Sequence, residues 1–250
     1  VLIAASVLLL RLYFATLQKS ALQEHVENLE QLALSVEQVL QNTQNHVRRL
    51  QQAAQFSLHN GEAPRELDRL IKPATPTTPE DFTLDALQQA QPQAQMGNVF
   101  LLGNPSSSMV QRELRIIETL FPIAAASHLS DSTLQWTYYS SFVSRLTSIF
   151  PYRNYQGLIE DAGVDNLAAF YERHLPMERR RQGVNELANV QAPVWRRAHE
   201  DLAGAGWVVP LSAPVRYKGE ILGAVSADVR LSFFSMHLSR YTRAPHRTLL

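Results

Sequence analysis

Cysteine is absent from the chain, and this excludes disulfides, thiolate nucleophiles and cysteine-bound zinc together. A surplus of either charge is absent too: 23 basic residues balance 23 acidic ones, so nothing points to a nucleic-acid partner. No Walker loop and no G-x-G-x-x-G occurs, and His174 and His199 lie outside any H-E-x-x-H spacing. Ser106 to Ser108 have no G-x-S-x-G frame around them and read as a helix cap. Glu200 and Asp201 are adjacent, so in an extended segment they face opposite sides and cannot work as an acid/base pair on one bond. No cofactor, no metal and no catalysis is expected in this chain.

What is present is enough apolar sequence, 45% of 250 residues with 18% charged, to bury a core of domain size. Residues 1–17, VLIAASVLLLRLYFATL, are apolar apart from Arg11 and a few polar positions near the end. They read as part of a transmembrane helix, with Arg11 near an interface because a charge at the bilayer centre is costly. A signal-peptide core is the rival reading, but no small-residue cleavage site follows. Residues 18–60 then carry the strongest periodicity. Leu22, Val26, Leu29, Ala33, Val36, Leu40, Thr43, Val47, Leu50 and Ala54 alternate spacings of four and three, which places them on one helical stripe. That stripe predicts a homodimer through the helix, packing onto the chain's own sheet, or both in successive halves. The helix is expected to end near His59-Asn60-Gly61.

Gly206 to Leu231, GWVVPLSAPVRYKGEILGAVSADVRL, reads as two strands joined at Lys218-Gly219. In the second strand Ile221, Gly223, Val225, Ala227 and Val229 share one face, suited to packing under a helix. Leu222, Ala224, Ser226 and Asp228 share the other, and small residues beside one carboxylate leave room for a guest. An ionised Asp buried without a partner costs several kcal/mol. Either Asp228 looks inward at a cationic or hydrogen-donating group, or it is solvated or paired with Arg216 or Arg230.

The run Trp195, His199, Asp201, Gly204, Gly206-Trp207, then APV at 213–215, Gly223-Ala224-Val225 and Asp228-Val229 resembles the double Cache family of extracytoplasmic sensors. The resemblance covers residues 195–231 and, more loosely, Trp136 to Tyr152. It implies an α+β fold with a long N-terminal helix packed on a PAS-like antiparallel sheet. It further implies a periplasmic location at the bacterial inner membrane and a cytoplasmic output, a diguanylate cyclase first and a histidine kinase or chemoreceptor otherwise. His199 stands where the family usually carries Tyr, and no R-x-W-Y segment occurs, so the ligand class is left open.

Between the two regions, Arg65 to Ile71 reads as a short helix, KPATPTTPED at 72–81 as a linker, and Asp81 as the start of another helix. Asn98 to Leu102 is the first expected strand, Met109 to Thr119 a helix. Gln135–Ser141 and Leu146–Tyr152 form a hairpin, with Trp136 and Tyr138 on one face and Thr137 and Tyr139 on the other. Asn154 to Gly163 reads as loop, Asn166 to His174 as helix, and Glu178 to Arg181 as a basic cluster, either a solvated face or an anion site. After a membrane-distal sensor domain at 61–231, residues 232–250 are expected to be a connector helix and the start of a membrane-proximal second Cache unit. The expected ligand-binding set is Asp228, Asp201, Trp195, Tyr139, Trp136, Tyr152 and His199. An aromatic wall facing Asp228 and Asp201 suits an amine-bearing small molecule, whose occupancy would shift the long helix against its dimer mate.

Overall fold

A computed structural model describes residues 2–59, 66–90, 96–201, 204 and 206–242, with side chains described from residue 13 to 236 within those ranges except at 66 and 68. The chain is α+β, with a long N-terminal helix and, among the described residues, a nine-stranded antiparallel sheet. In chain order the elements are α1 (Leu2–His59), α2 (Glu66–Leu70), β1 (Lys72–Thr75), β2 (Thr78–Thr83), α3 (Asp85–Ala90), β3 (Asn98–Leu102) and α4 (Ser108–Ser130). There follow β4 (Leu134–Ser141), β5 (Leu146–Phe150), α5 (Tyr155–Ala162), α6 (Leu167–His174) and α7 (Met177–Leu187). The chain continues with β6 (Val194–Trp195), β7 (His199–Glu200), β8 (Trp207–Tyr217), β9 (Glu220–Arg230) and α8 (Leu231–Thr242). Two compact units result, one of residues 42–231 and one of residues 1–41 with 232–250.

In the larger unit the strands run in the order β1-β2-β3-β5-β4-β9-β8-β6, with β7 also paired to β8. The β8–β9 hairpin closes at Lys218-Gly219, both at positive φ (51° and 88°), as a two-residue turn with the right twist requires. One sheet face is covered by α4 and the C-terminal part of α1. There Val47, Leu50 and Ala54 pack with Leu114, Ile117 and, from the strands, Val225 and Ala227. The other face is only partly filled. Phe100 meets Leu158 of α5 and Phe170 of α6 in one cluster, and Leu187 of α7 meets Ile221 and Ala224 in another.

Four local expectations are corrected. KPATPTTPED is not a linker but the β1–β2 hairpin, and Asp81 lies in β2 rather than at a helix start. Its prolines are tolerated because β1 is an outer strand and β2 pairs with β3 only from Asp81 onward, past Pro79. Asn154 to Gly163 is the helix α5 with its caps: Asn154 accepts from Gly157 N at 2.8 Å, and Gly163 closes the helix at φ +63°. The helix after Ser107 runs past Thr119 and through Pro122 to Ser130. Ile221 packs with Leu187 and Ala224 rather than with Val225, because β9 slips register between Gly223 and Ile221 and the alternation changes sides there.

In the smaller unit α1 bears Leu32 and Val39 buried, while Leu22, Val26 and Leu29 are 66%, 46% and 61% exposed. Among the described residues no helix is long and apolar enough to cross a membrane. The side chains of 2–12, on which the expected anchor rests, lie outside the described set, as do Asn60-Gly61 and residues 243–250, where the second unit is expected to start.

Candidate functional site

The alternation of β4 sends Trp136, Tyr138 and Ser140 to the partly filled face, and pairing with β9 puts them beside Asp228, Ser226 and Ala224. Pairing of β9 with β8 adds Pro210 and Ser212 to the same row. Above this floor is a cavity of about 720 Å³, within the range of small-molecule sites. Its roof comes from α5, α6 and α7, and its rim from residues 196–201 alongside β8.

Asp228 is the deepest charge-bearing group in the cavity, 3% exposed. Among the described residues the hydrogen bond to its carboxylate is that of the Tyr138 hydroxyl, 3.0 Å from Oδ1. Burial raises its pKa from 3.8 to about 7, the nearby Asp201 adds to the rise, and the tyrosine bond opposes it. Neither arginine considered for it is its partner. Arg216 donates to the carbonyls of Leu187 and Ala188, and Arg230 donates to Gln135. Beside Asp228 on the same face of β8 and β9, the Oγ atoms of Ser212 and Ser226 lie 2.8 Å apart, both buried. The Trp136 indole N–H donates to Asp201 Oδ2 at 2.8 Å and ties β4 to the rim. Trp136 and Tyr138, successive on one face of β4, therefore hold the two carboxylates through aromatic donors.

Of the expected site residues, Asp228, Asp201, Trp136 and His199 border the cavity. Tyr139, Trp195 and Tyr152 do not. Tyr139 is fully buried on the opposite sheet face, where its hydroxyl donates to Glu113 Oε1 at 2.8 Å. Ser144 Oγ donates to the other oxygen of Glu113, and burial raises the pKa of this carboxyl. Trp195 packs against the main core, and the Tyr152 hydroxyl donates to Asp85 at 2.8 Å. Within the basic cluster, Arg179 reaches the cavity rim but donates to the His174 carbonyl at 2.8 Å. Arg180 is buried elsewhere and donates to the Ser144 carbonyl. Tyr138, Ser212 and Ser226 were not in the expected set, although the facing of Tyr138 with Trp136 follows from strand parity. Among the described residues no cluster suited to a metal ion occurs.

No family model matches the chain, and no curated protein matches it. Among solved structures it is similar to the isoleucine-bound sensory domain of the Campylobacter jejuni chemoreceptor Tlp3, at 12% identity and TM-score 0.44, covering 90% of this chain and 66% of that one. An extracellular ligand binding receptor from Desulfohalobium retbaense matches at 15% identity and TM-score 0.41, covering 86% of this chain and 27% of that one. The ligand-binding domain of the Pseudomonas aeruginosa amino acid chemoreceptor PctC, in complex with GABA, matches at 18% identity and TM-score 0.33 over 56% of this chain and 54% of that one. The chain thus spans less than two thirds of the length of each.

Proposed function

We propose that this chain is the extracytoplasmic ligand-sensing region of a membrane-bound signalling protein, and that an amine-bearing small molecule occupies the cavity over β4, β9 and β8. The observation that carries the reading is Asp228. A carboxyl is held under a cavity of about 720 Å³ with one neutral hydroxyl as its partner among the described residues. An ammonium group there would supply both the counter-charge and the missing donors. Asp201, on the rim near Asp228, offers a second acceptor to the same group, and the Trp136 ring that borders the cavity beside them offers a cation an aromatic surface.

The exposed Leu22, Val26 and Leu29 of α1 support a homodimer through that helix, with the protein anchored in a bacterial inner membrane and this region in the periplasm. A cytoplasmic diguanylate cyclase is the first choice of output, a histidine kinase or chemoreceptor the alternative. Ligand occupancy would act by binding one arrangement of α1 more tightly than another. Differential scanning fluorimetry of the chain with small amines, amino acids and carboxylates tests the sensing step. Dose-dependent stabilisation by amine-bearing compounds, lost in Asp228→Ala, is expected. Absence of a shift with any compound would leave the cavity without a sensing role.

A further inference from the structure

The polar and apolar parts of the cavity lining are segregated along the sheet. At the β9–β8 end are Asp228, Ser226 and Ser212, with Asp201 above them. At the β5–β3 end the lining is Ile149 and Phe100, closed over by Leu158, Phe170 and Leu175, which belong to one hydrophobic cluster. In the order β3-β5-β4-β9, two strand spacings separate β9 from β5 and a third separates it from β3. At ~4.8 Å per spacing the apolar end therefore begins about 10 Å from the carboxylate. The charged side chains of the roof and rim are Arg179, Glu186, Arg196, Arg197 and Glu200, the last three on the 196–201 rim alongside β8, at the same end as Asp201. Arg196 pairs with Glu186, and Arg179 is engaged with a backbone carbonyl. The β9–β8 end thus holds the carboxylates of Asp228 and Asp201, while the β3, β5, α5 and α6 residues at the other end bring none: there Thr147 and His174 are set among Ile149, Phe100, Leu158, Phe170 and Leu175.

We infer that the cavity is shaped for an amine carried on an extended apolar body, with its head at Asp228 and Asp201 and its body lying across β4 and β5 toward Phe100 and Phe170. This rests on the sensing role proposed above and narrows it. A short polar amine would leave the apolar end unfilled and forgo the favourable burial of hydrocarbon available there. A diamine would bring a second charge to a wall whose β3, β5, α5 and α6 residues include no carboxylate to pair with it, at a cost of desolvation. A zwitterion with its carboxylate next to the amine would bring that negative charge to the end already holding two acids.

Isothermal titration of the chain at pH 8 with phenylbutylamine, ethanolamine, putrescine, phenylbutanol and phenylbutyrate separates the possibilities. Phenylbutylamine is expected to bind at least about ten-fold more tightly than each of the others. The half-buried lining residue Ile149 provides a second readout: Ile149→Thr, which keeps a β-branched strand residue, is expected to weaken phenylbutylamine several-fold and leave ethanolamine unchanged. If ethanolamine or putrescine binds as well as phenylbutylamine, the apolar-body inference is overturned while the sensing role stands. If phenylbutanol or phenylbutyrate binds as well, the amine head is overturned. If none of the five binds, both the inference and the amine-sensing role fail.

Discussion

Tyr138 reaches past the residue directly opposite it, Ser226, to donate its hydroxyl to Asp228 at 3.0 Å on the neighbouring strand. A neutral donor restrains the rise in the acid's pKa without cancelling it, so the group is poised to ionise near pH 7. The chemistry of the cavity therefore changes within the physiological range.

The sign of the stability effect follows. With a folded pKa of about 7 against 3.8 for the free group, Asp228 keeps its proton in the folded chain after losing it in the unfolded one. Its contribution falls as pH rises from about 4 to about 7 and is flat above. A shift of that size corresponds to on the order of 4 kcal/mol as an upper bound. Asp228→Asn keeps the tyrosine bond and removes the charge. It is expected to raise the urea midpoint at pH 8 and to leave it little changed below pH 4; an unchanged midpoint at pH 8 would show that the carboxylate is not under strain.

Amine binding should carry the same signature in reverse. The ionised form of Asp228 is the one that pairs with an ammonium, so affinity is expected to strengthen as pH rises through about 7 and then level off. Tyr138→Phe removes the bond that opposes the rise, and the midpoint of that affinity profile is expected to move to higher pH. A profile independent of pH between 6 and 8 would detach the ligand from Asp228.

On the opposite face of β4, Thr137 Oγ1 lies 2.8 Å from His46 Nε2 and 3.0 Å from His128 Nε2. A hydroxyl has one hydrogen to give, so one imidazole accepts it and the other donates, an arrangement suited to two neutral rings. Burial lowers both pKa values from 6.5 to about 4; for His46 the neighbouring His128 and Arg49 contribute, and Asp131 opposes the shift for both. Stability is expected to be lost as pH falls from about 6.5 toward 4, by up to about 3 kcal/mol for the 4% exposed His46. Denaturant titrations of the chain and of His46→Gln across this window should show a shallower acid slope in the variant. Equal slopes would place the acid sensitivity elsewhere.

Gly223 faces the Tyr139 side of the sheet, where an added Cβ would stand 2.4 Å from the Ser140 carbonyl oxygen and 2.8 Å from the Tyr139 hydroxyl. Backbone cannot withdraw as a flexible side chain can, so Gly223→Ala is expected to cost about 1–3 kcal/mol. The cost should appear as a lowered melting temperature. Tyr139→Phe, which leaves Glu113 Oε1 without that donor, should destabilise by a similar amount.

The β8–β9 hairpin was readable because small and β-branched residues flank a Lys-Gly turn, and the two faces of β4 followed from alternation alone. Alternation also grouped Asp228 with Ser226 and Ala224, but it left open whether the carboxylate looks inward or pairs with Arg216 or Arg230, because strand parity does not say which face is filled. The partner of Asp228 did not follow either, since Tyr138 lies 90 residues away and their meeting depends on strand order and on the register that puts Trp136 opposite Asp228. Tyr139, Trp195 and Tyr152 entered the expected set as aromatic residues in the regions of family resemblance. Residue type does not tell a cavity wall from a core, and parity already set Tyr139 on the face away from Tyr138. Helix α5 was missed because an internal Gly157 masked the Asn154 and Gly163 signals at its ends. The β1–β2 hairpin was missed because proline weighs against strand wherever the pairing partners are unknown.

The outermost strands of the sheet are poor templates for adding another chain. At one margin β1 is four residues long and carries Pro73, which has no amide hydrogen to offer; at the other, β6 and β7 are two residues each and are separated by residues 196–198, where the Arg196 backbone N–H donates to the Pro210 carbonyl. Neither margin provides a continuous rail of open donors and acceptors, so edge-to-edge recruitment and fibrillar growth are disfavoured.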